Sequence, residues 1–201
     1  MIAEPKQKWP HAAALEVAGE LVIRLAPACS RILIAGSLRR EKPLVGDVEI
    51  LYIPTIDEGP DPEDMFRQRK LNLADEMIEQ FEEDGTLTRR KNKLGLETFG
   101  PKNKLMVHVA SGIPVDLFST SEENFWVSLV IRTGSMETNL RLTTGALERG
   151  RTLKAYGAGV KLLKMQMVNA AFHGAGEIIR AESERHVFEL CGVPYLEPKN
   201  R

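Results

Sequence analysis

An alternation of acidic and apolar residues over Gly46–Ile53 constrains the fold of this chain more than any other feature. Successive side chains of a β-strand point to opposite faces, so Asp47 and Glu49 share one face and the apolar residues between them occupy the other. Adjacent carboxylates repel each other unless a positive charge lies between them. Because oxygen-only ligands suit hard divalent ions, we predict that this strand binds Mg²⁺ or Mn²⁺.

A Gly-Ser pair precedes this strand and follows the apolar run Ile32–Ala35. Gly36 lets backbone amides approach a ligand closely, and Ser37 adds a hydroxyl donor. Arg40 offers a planar guanidinium that suits phosphate oxygens. Nucleotidyl transfer needs such phosphate donors beside metal-binding carboxylates, because the ions bridge a triphosphate and the attacking hydroxyl.

The order of these parts resembles the signature of the nucleotidyltransferase superfamily: an apolar residue, Gly, Ser, a spacer, and then Asp-apolar-Asp/Glu-apolar. The signature needs a third carboxylate on a neighbouring strand, and Asp116 in the segment Ile113–Phe118 supplies one. A hairpin that merely carries acids on its exposed face is the alternative interpretation. The presence of all three parts in the right order argues against it.

Composition bounds the classes of protein that remain. The 201 residues allow one domain or two small lobes, and the net charge of −1 means that nucleic acid must contact a local basic face. The basic run Arg89–Lys93, with Lys102 and Lys104, fits such a face and a solvated surface equally well.

Cys29 and Cys191 lack metal-ligand spacing and predict inert thiols in a reducing compartment. Without a signal peptide or a membrane-spanning run, we expect a cytoplasmic protein with no membrane partner.

Hydrophobic periodicity and turn residues predict an alternation of helices and short strands. The predicted helices cover about 10–26, 62–83, 121–131, 136–149 and 185–190, and the strands about 32–35, 46–53, 86–90, 97–99, 105–110 and 115–118. We expect a polar loop at 54–62 and a tight turn at 132–135. Residues 161–172 fit either a strand or a short helix.

Four segments make the chain resemble the family X DNA polymerases, the group around polymerase beta. They are Gly36–Arg40 with Gly46–Glu49, then Pro114–Phe118, then Arg132–Ser135 with Asn139 and Ala146–Gly150, and finally Ala181–Tyr195. The first two are shared with the wider superfamily, and the last two are specific to this group. The resemblance implies an α+β fold. A nucleotidyltransferase palm at 1–120, with a mixed or antiparallel sheet and helices on one face, would precede a small α/β thumb-like nucleotide-binding lobe at 121–201.

The resemblance also implies a role for each motif. Asp47, Glu49 and Asp116 would bind two Mg²⁺ ions, which Mn²⁺ can replace, with Asp116 beside the primer 3′-hydroxyl. The β and γ phosphates of the triphosphate would be held by Gly36, Ser37, Arg40 and Gly46. Thr133, Gly134 and Ser135 would place backbone against the incoming sugar, and Asn139 would reach the base edge. A plain turn between two helices is the alternative for Arg132–Ser135.

Three departures from the family pattern limit what is carried over. Glu49 stands where the family usually has Asp, which can retune the metal preference. Ile131 and Arg132 replace an aromatic pair that helps to exclude ribonucleotides. Only about thirty-five residues precede Gly36, so we expect no lyase or helix-hairpin-helix modules and a weak grip on DNA, as in minimal viral members.

We therefore expect a DNA polymerase that adds dNMP from a dNTP to a primer 3′-hydroxyl and releases pyrophosphate. Its partners would be nucleoside triphosphates and a DNA primer and template, with RNA as another acceptor, and the chain would act as a monomer. One alternative is untemplated transfer, or transfer to RNA, protein or a small molecule. The other is a non-catalytic nucleic-acid-binding module, which has no use for paired acids facing a polyanion. The compactness of the chain also fits a nucleoid-associated or viral origin.

Overall fold

The structure, a computed structural model, describes residues 7–61, 64–92, 94–154, 160–162, 165–168, 171–174 and 178–201. It divides into two compact units. The first comprises Met1–Ile34 and Pro43–Ser119, and the second comprises Ala35–Lys42 and Thr120–Arg201. The predicted domain boundary kept 35–42 in the first domain, whereas in the structure this segment packs with the second unit.

Helices and strands alternate along most of the described chain. The helices are α1 (His11–Leu25), α2 (Gly36–Arg39), α3 (Leu73–Glu83), α4 (Phe125–Thr133), α5 (Met136–Glu148) and α6 (Glu184–Cys191). The strands up to the end of the first unit are β1 (Trp9–Pro10), β2 (Cys29–Ile34), β3 (Leu44–Val45), β4 (Val48–Pro54), β5 (Ile56–Asp61), β6 (Asp64–Asn72), β7 (Leu87–Arg89), β8 (Asn103–His108) and β9 (Pro114–Ser119). The second unit contains β10 (Arg151–Leu153), β11 (Val160–Leu162), β12 (Met165–Val168), β13 (Ala171–Gly174) and β14 (Ile178–Ile179).

The first unit is built on a five-stranded sheet in the order β2-β4-β9-β8-β7. Strands β4 and β9 run parallel, and the other neighbours run antiparallel, so the sheet is mixed as predicted. Helices α1 and α3 contact both the sheet and each other, which places them on the same face. Their buried side chains, among them Leu21, Leu25, Ile78 and Phe81, recur at helical spacing and form the core with the sheet. The α+β fold class is confirmed.

A two-stranded ribbon lies where we predicted a loop at 54–62 and the first half of a helix at 62–83. Strands β5 and β6 pair antiparallel, so the prediction was wrong for Ile56–Asp61 and for Asp64–Asn72. The helix begins only at Leu73, where the Asn72 side chain accepts a hydrogen bond from the backbone N–H of Asp75 at 3.2 Å. Proline followed by acidic residues resembles a helix start, but pairing with the neighbouring strand in the sequence overrides that preference.

The structure also corrects one short predicted strand and decides between the two alternatives for 161–172. The predicted strand at 97–99 is reduced to isolated bridges, Lys91 with Glu97 and Phe99 with Lys104. The ambiguous stretch 161–172 contains strands wherever the structure describes it.

The second unit has a helical core formed by α4, α5 and α6. Its buried members are Val127, Val130, Leu142, Ala146, Val187, Phe188, Leu190 and Cys191. Side-chain caps begin two of these helices: Ser135 accepts from Thr138 N–H at 3.4 Å, and Ser183 accepts from His186 N–H at 3.1 Å. The predicted turn at 132–135 is present, with Gly134 at φ +68° between α4 and α5. The three helices match the predicted ones, with ends shifted by a few residues.

Both thiols have a raised pKa, in agreement with the expectation that they are inert. Burial raises the pKa of Cys29 to about 12 and that of Cys191 to about 11, so both remain protonated near neutral pH. Among the described residues, no helix is long and apolar enough to cross a membrane.

Helix α5 approaches the end of α6 closely at Gly145. A Cβ added at Gly145 would lie 2.4 Å from the carbonyl oxygen of Cys191 and 3.1 Å from Val193. We expect Gly145→Ala to lower the free energy of unfolding by about 1–3 kcal/mol, because this overpacking exceeds the roughly 1 kcal/mol that alanine gains over glycine in a helix. Gly19→Ala in α1 is the matched control, since nothing lies within 4 Å of its added Cβ. Urea denaturation of both variants measures the difference; a Gly145→Ala variant as stable as Gly19→Ala would contradict the close packing.

Candidate active site

The three predicted carboxylates lie on or beside two neighbouring strands of the first unit. Glu49 in β4 and Asp116 in β9 are paired residues in the parallel register, so their side chains share one face of the sheet. Asp47 comes one residue before β4 and two before Glu49. All three residues are half-buried, while the flanking Val48 and Val115 are fully buried. The strand alternation predicted from the sequence is therefore what places these acids together.

A cavity of about 500 Å³, here called the carboxylate pocket, opens beside these strands. Its lining includes Asp47, Asp116, Gly46, Arg90, Lys91 and Trp9. Glu49 is not among the lining residues, but it is the register partner of Asp116 on the adjacent strand. The pocket thus brings Gly46 and two of the three carboxylates to one place in the first unit.

Arg90 supplies the positive charge beside Asp116 in this structure. Its Nη2 donates to Oδ1 of Asp116, and its backbone N–H donates to the carbonyl of Leu105 at 3.0 Å, which holds the residue next to β8. Within the described ranges, no three His, Cys, Asp or Glu side chains converge closely enough to hold a metal ion. The oxygen-only donor set still has the chemistry that Mg²⁺ prefers. An ion at Asp116 would have to share this carboxylate with a guanidinium.

Removing the Arg90 guanidinium should make the thermal stability of the protein more dependent on a metal ion at the acids. In Arg90→Gln the Asp116 carboxylate loses the positive charge of the guanidinium, so we expect MnCl₂ to raise the melting temperature of this variant more than that of the wild type. Thermal unfolding with and without MnCl₂ measures both shifts. Lys91→Gln, which removes an exposed cation from the same pocket, is the control and should shift as the wild type does. Equal shifts in all three proteins would show that Arg90 does not compete with the ion.

The other predicted phosphate-binding residues lie in the second unit, with the predicted sugar-binding turn. Gly36 begins α2 with φ +66°, and Nη1 of Arg40 donates to the carbonyl oxygen of Thr133. A Cβ at Gly134 would lie 3.1 Å from this Arg40 Nη1, and the φ of +68° also favours glycine there. The structure therefore groups Gly36, Ser37 and Arg40 with residues 133–135, while Gly46 belongs to the first unit.

The side chains predicted to contact the sugar and the base mainly form hydrogen bonds within the protein. The hydroxyl of Thr133 accepts from Arg39 at 2.8 Å, and the hydroxyl of Ser135 caps α5. Nδ2 of Asn139 donates to the carbonyl of Ile131 at 2.8 Å. Its buried Oδ1 has no hydrogen-bond partner among the described residues, so this oxygen is the acceptor that remains for a base. The nucleotide-binding role of this turn stays a prediction.

Arg39 and Glu184 form an ion cluster that the sequence did not indicate. Both guanidinium nitrogens of Arg39 donate to Glu184, at 2.8 and 2.7 Å, and Nη1 of Arg201 donates to the same carboxylate at 2.8 Å. Burial raises the pKa of Glu184, but the hydrogen bonds from the two arginines outweigh this and bring its pKa below the ordinary value. The cluster attaches α2, which begins at Gly36, to α6 within the second unit.

Sequence reasoning also missed two members of the carboxylate pocket. Arg90 belonged to a basic run for which phosphate contact and a solvated surface were equally good interpretations, and only the fold selects Asp116 as its partner. Trp9 carried no local signal, because it comes near the start of the chain and just before a proline and a helix. Its pairing with Val45 brings it beside Asp47.

Two comparisons with known proteins find similar chains. Residues 128–201 match the family model of the DNA polymerase beta thumb. Over 174 residues the chain is 27% identical to DNA polymerase lambda of Rattus norvegicus, a match that covers 83% of this chain and 28% of that relative. The chain therefore spans less than a third of that relative's length. The chain is thus similar to family X DNA polymerases, in its thumb segment and along most of its length.

Proposed function

We propose that this chain is a DNA polymerase that transfers dNMP from a dNTP to a primer 3′-hydroxyl. The 3′ oxygen attacks the α-phosphorus, the bond to the β-phosphate breaks, and pyrophosphate leaves. The observation that carries the proposal is the pairing of Glu49 with Asp116 on adjacent parallel strands, beside a pocket that Asp47 also lines. The relationship to family X polymerases supports nucleotidyl transfer as the class of reaction.

Each predicted site residue has a task in this proposal, and Asp116 has two. Asp47, Glu49 and Asp116 would hold two Mg²⁺ or Mn²⁺ ions, which when bound neutralise the charge that develops on the phosphates. Asp116 accepts the proton of the attacking hydroxyl. The β and γ phosphates are bound by Gly36, Ser37, Arg40 and Gly46. The sugar is bound by Thr133, Gly134 and Ser135, and Oδ1 of Asn139 accepts a hydrogen bond from the base or from water next to it.

A non-catalytic nucleic-acid-binding module is the second candidate, and the Arg90–Asp116 ion pair favours it. The Arg90 guanidinium already pairs with Asp116, so this carboxylate has a positive partner without a metal ion. In that case Lys91 and its basic neighbours would bind phosphate without turnover. The two candidates differ in metal-dependent chemistry alone, which can be measured directly.

Extension of a labelled DNA primer tests the proposal. The purified chain is incubated with dNTPs or rNTPs, with and without a template, in Mg²⁺ and in Mn²⁺. Template-directed products support the polymerase. Comparing dNTPs with rNTPs shows its sugar preference, which matters because Ile131 and Arg132 replace the aromatic pair that helps the family to exclude ribonucleotides. Products that ignore the template indicate a terminal transferase. Primer binding without extension in either metal favours the non-catalytic module.

A further inference from the structure

An aromatic ring lies at the edge of the carboxylate pocket, where none of the proposed chemistry uses it. Trp9 forms the short strand β1, pairs with Val45 of β3, and lines the same cavity as Asp47 and Asp116. The residue is partly exposed, and within the described residues its indole pairs with no other aromatic ring. Since tryptophan buries a large apolar area when it can, a partly exposed indole in a pocket that also holds charged side chains is suited to a flat ligand.

The surroundings of Trp9 match the chemistry of a nucleotide. Lys91 contributes a positive charge for a phosphate, and Gln7 contributes an amide that can hydrogen-bond a base edge. The cavity of about 500 Å³ lies within the range of typical ligand sites, roughly 300–1,000 Å³. Proteins that bind single strands combine these same elements, a positively charged groove and aromatic faces on which bases stack.

We propose that Trp9 is a nucleobase-stacking residue of the carboxylate pocket. This inference rests on the proposed function and deepens it, because it names a contact for the nucleotide that lies beside Asp116. Both the terminal nucleotide of an acceptor strand and a free dNTP present a base of the same chemistry. Since Asp116 is assigned to the 3′-hydroxyl and lines the same pocket, we assign the stacked base to the terminal nucleotide of the acceptor strand.

Tryptophan fluorescence can observe this contact directly, because the chain has two tryptophans. The other, Trp126, packs edge-on against Phe125 in the second unit, with ring centroids 5.3 Å apart. Trp126→Phe in the full chain leaves Trp9 as the sole reporter. Titration with a short oligodeoxynucleotide, without metal ions, should quench its emission saturably. The midpoint should agree with that from fluorescence anisotropy of a labelled oligodeoxynucleotide, and Trp9→Phe with Trp126 retained should show no quenching.

Substitutions at Trp9 distinguish a side chain that stacks on a base from one that only packs within the protein. Trp9→Leu keeps an apolar side chain but removes the aromatic face, so oligodeoxynucleotide binding should weaken by about 5- to 150-fold. Trp9→Phe retains an aromatic face and should bind within a few-fold of the wild type. Urea denaturation of both variants measures any loss of stability. If the two variants lose affinity equally and only in proportion to unfolding, Trp9 is a packing residue and the proposal is overturned.

The outcomes for stacking and for polymerase activity can be told apart. Oligodeoxynucleotide binding that leaves Trp9 emission unchanged overturns the stacking contact, and primer extension by the same preparation would leave the polymerase proposal standing. Saturable quenching without any primer extension supports the contact and overturns the polymerase. Quenching by dNTP but not by oligodeoxynucleotide supports stacking and overturns the assignment to the acceptor strand.

Discussion

Asp116→Asn is expected to slow primer extension by roughly 10²- to 10⁴-fold, the usual contribution of a positioned general base. Asparagine is close in size to aspartate but cannot accept the proton of the 3′-hydroxyl, and it is a poor ligand for Mg²⁺. The variant also removes the carboxylate partner of Arg90, so its folding must be measured alongside its activity. Single-turnover extension of a labelled primer gives the rate, and thermal unfolding monitored by circular dichroism shows whether the protein is folded.

Glu83→Gln is the matched control for this experiment. Glu83 is an exposed carboxylate at the end of α3 in the same unit, outside the carboxylate pocket. Its replacement also removes one negative charge, and the extension rate should stay at the wild-type level. If folded Asp116→Asn extends primers as fast as Glu83→Gln does, Asp116 has no catalytic task and the assignment of the pocket is wrong.

Glu184→Gln is expected to lower the free energy of unfolding by about 3–5 kcal/mol, because it leaves two arginines without their shared carboxylate in a buried site. The side chains of Glu184 and Arg201 are 10% and 0% exposed, and that of Arg39 is 22% exposed. Water therefore cannot replace most of the lost interaction. Glu189→Gln, an exposed position on the same helix, should unfold within about 0.5 kcal/mol of the wild type. Urea denaturation measures both, and similar stabilities would show that the cluster does not hold the second unit together.

The same cluster predicts an acid dependence of stability. The pKa of Glu184 in the folded protein lies below its ordinary value of 4.5, so the folded state favours the ionised form. The contribution to stability is fully present above about pH 4.5 and is lost as the pH falls through the lower folded pKa. The difference in unfolding free energy between the wild type and Glu184→Gln should therefore shrink in acid. A difference that stays constant down to pH 3 would contradict the ion cluster.

The cluster also bears on how the predicted phosphate-binding residues are positioned. Gly36 and Arg40 flank Arg39, whose bonds to Thr133 and Glu184 join α2 to α4 and α6. The Gly-Ser signature alone requires only a loop after a strand. In this chain the segment after the strand forms α2, and an ion pair joins it to a residue 145 positions later. Loss of stability in Glu184→Gln should therefore be accompanied by weaker binding of triphosphate.

Local patterns determined most of what the sequence by itself could establish. The alternation around Asp47 and Glu49 and around Asp116 placed the acids on strands, because a strand exposes every second residue on one face. Helices α1, α5 and α6 followed from helical spacing and from turn and capping residues. These signals act within a few residues, so a single sequence contains them in full.

Only the tertiary structure decided which distant residues meet. Even between neighbouring segments, the pairing of β5 with β6 replaced a helix signal, because it satisfies the backbone polar groups in another way. Arg90 beside Asp116, Arg39 and Arg201 around Glu184, and Trp9 in the carboxylate pocket all depend on strand order, register and packing. Periodicity shows which face a residue occupies. It does not show what lies opposite that face, because this depends on contacts between segments far apart in the chain.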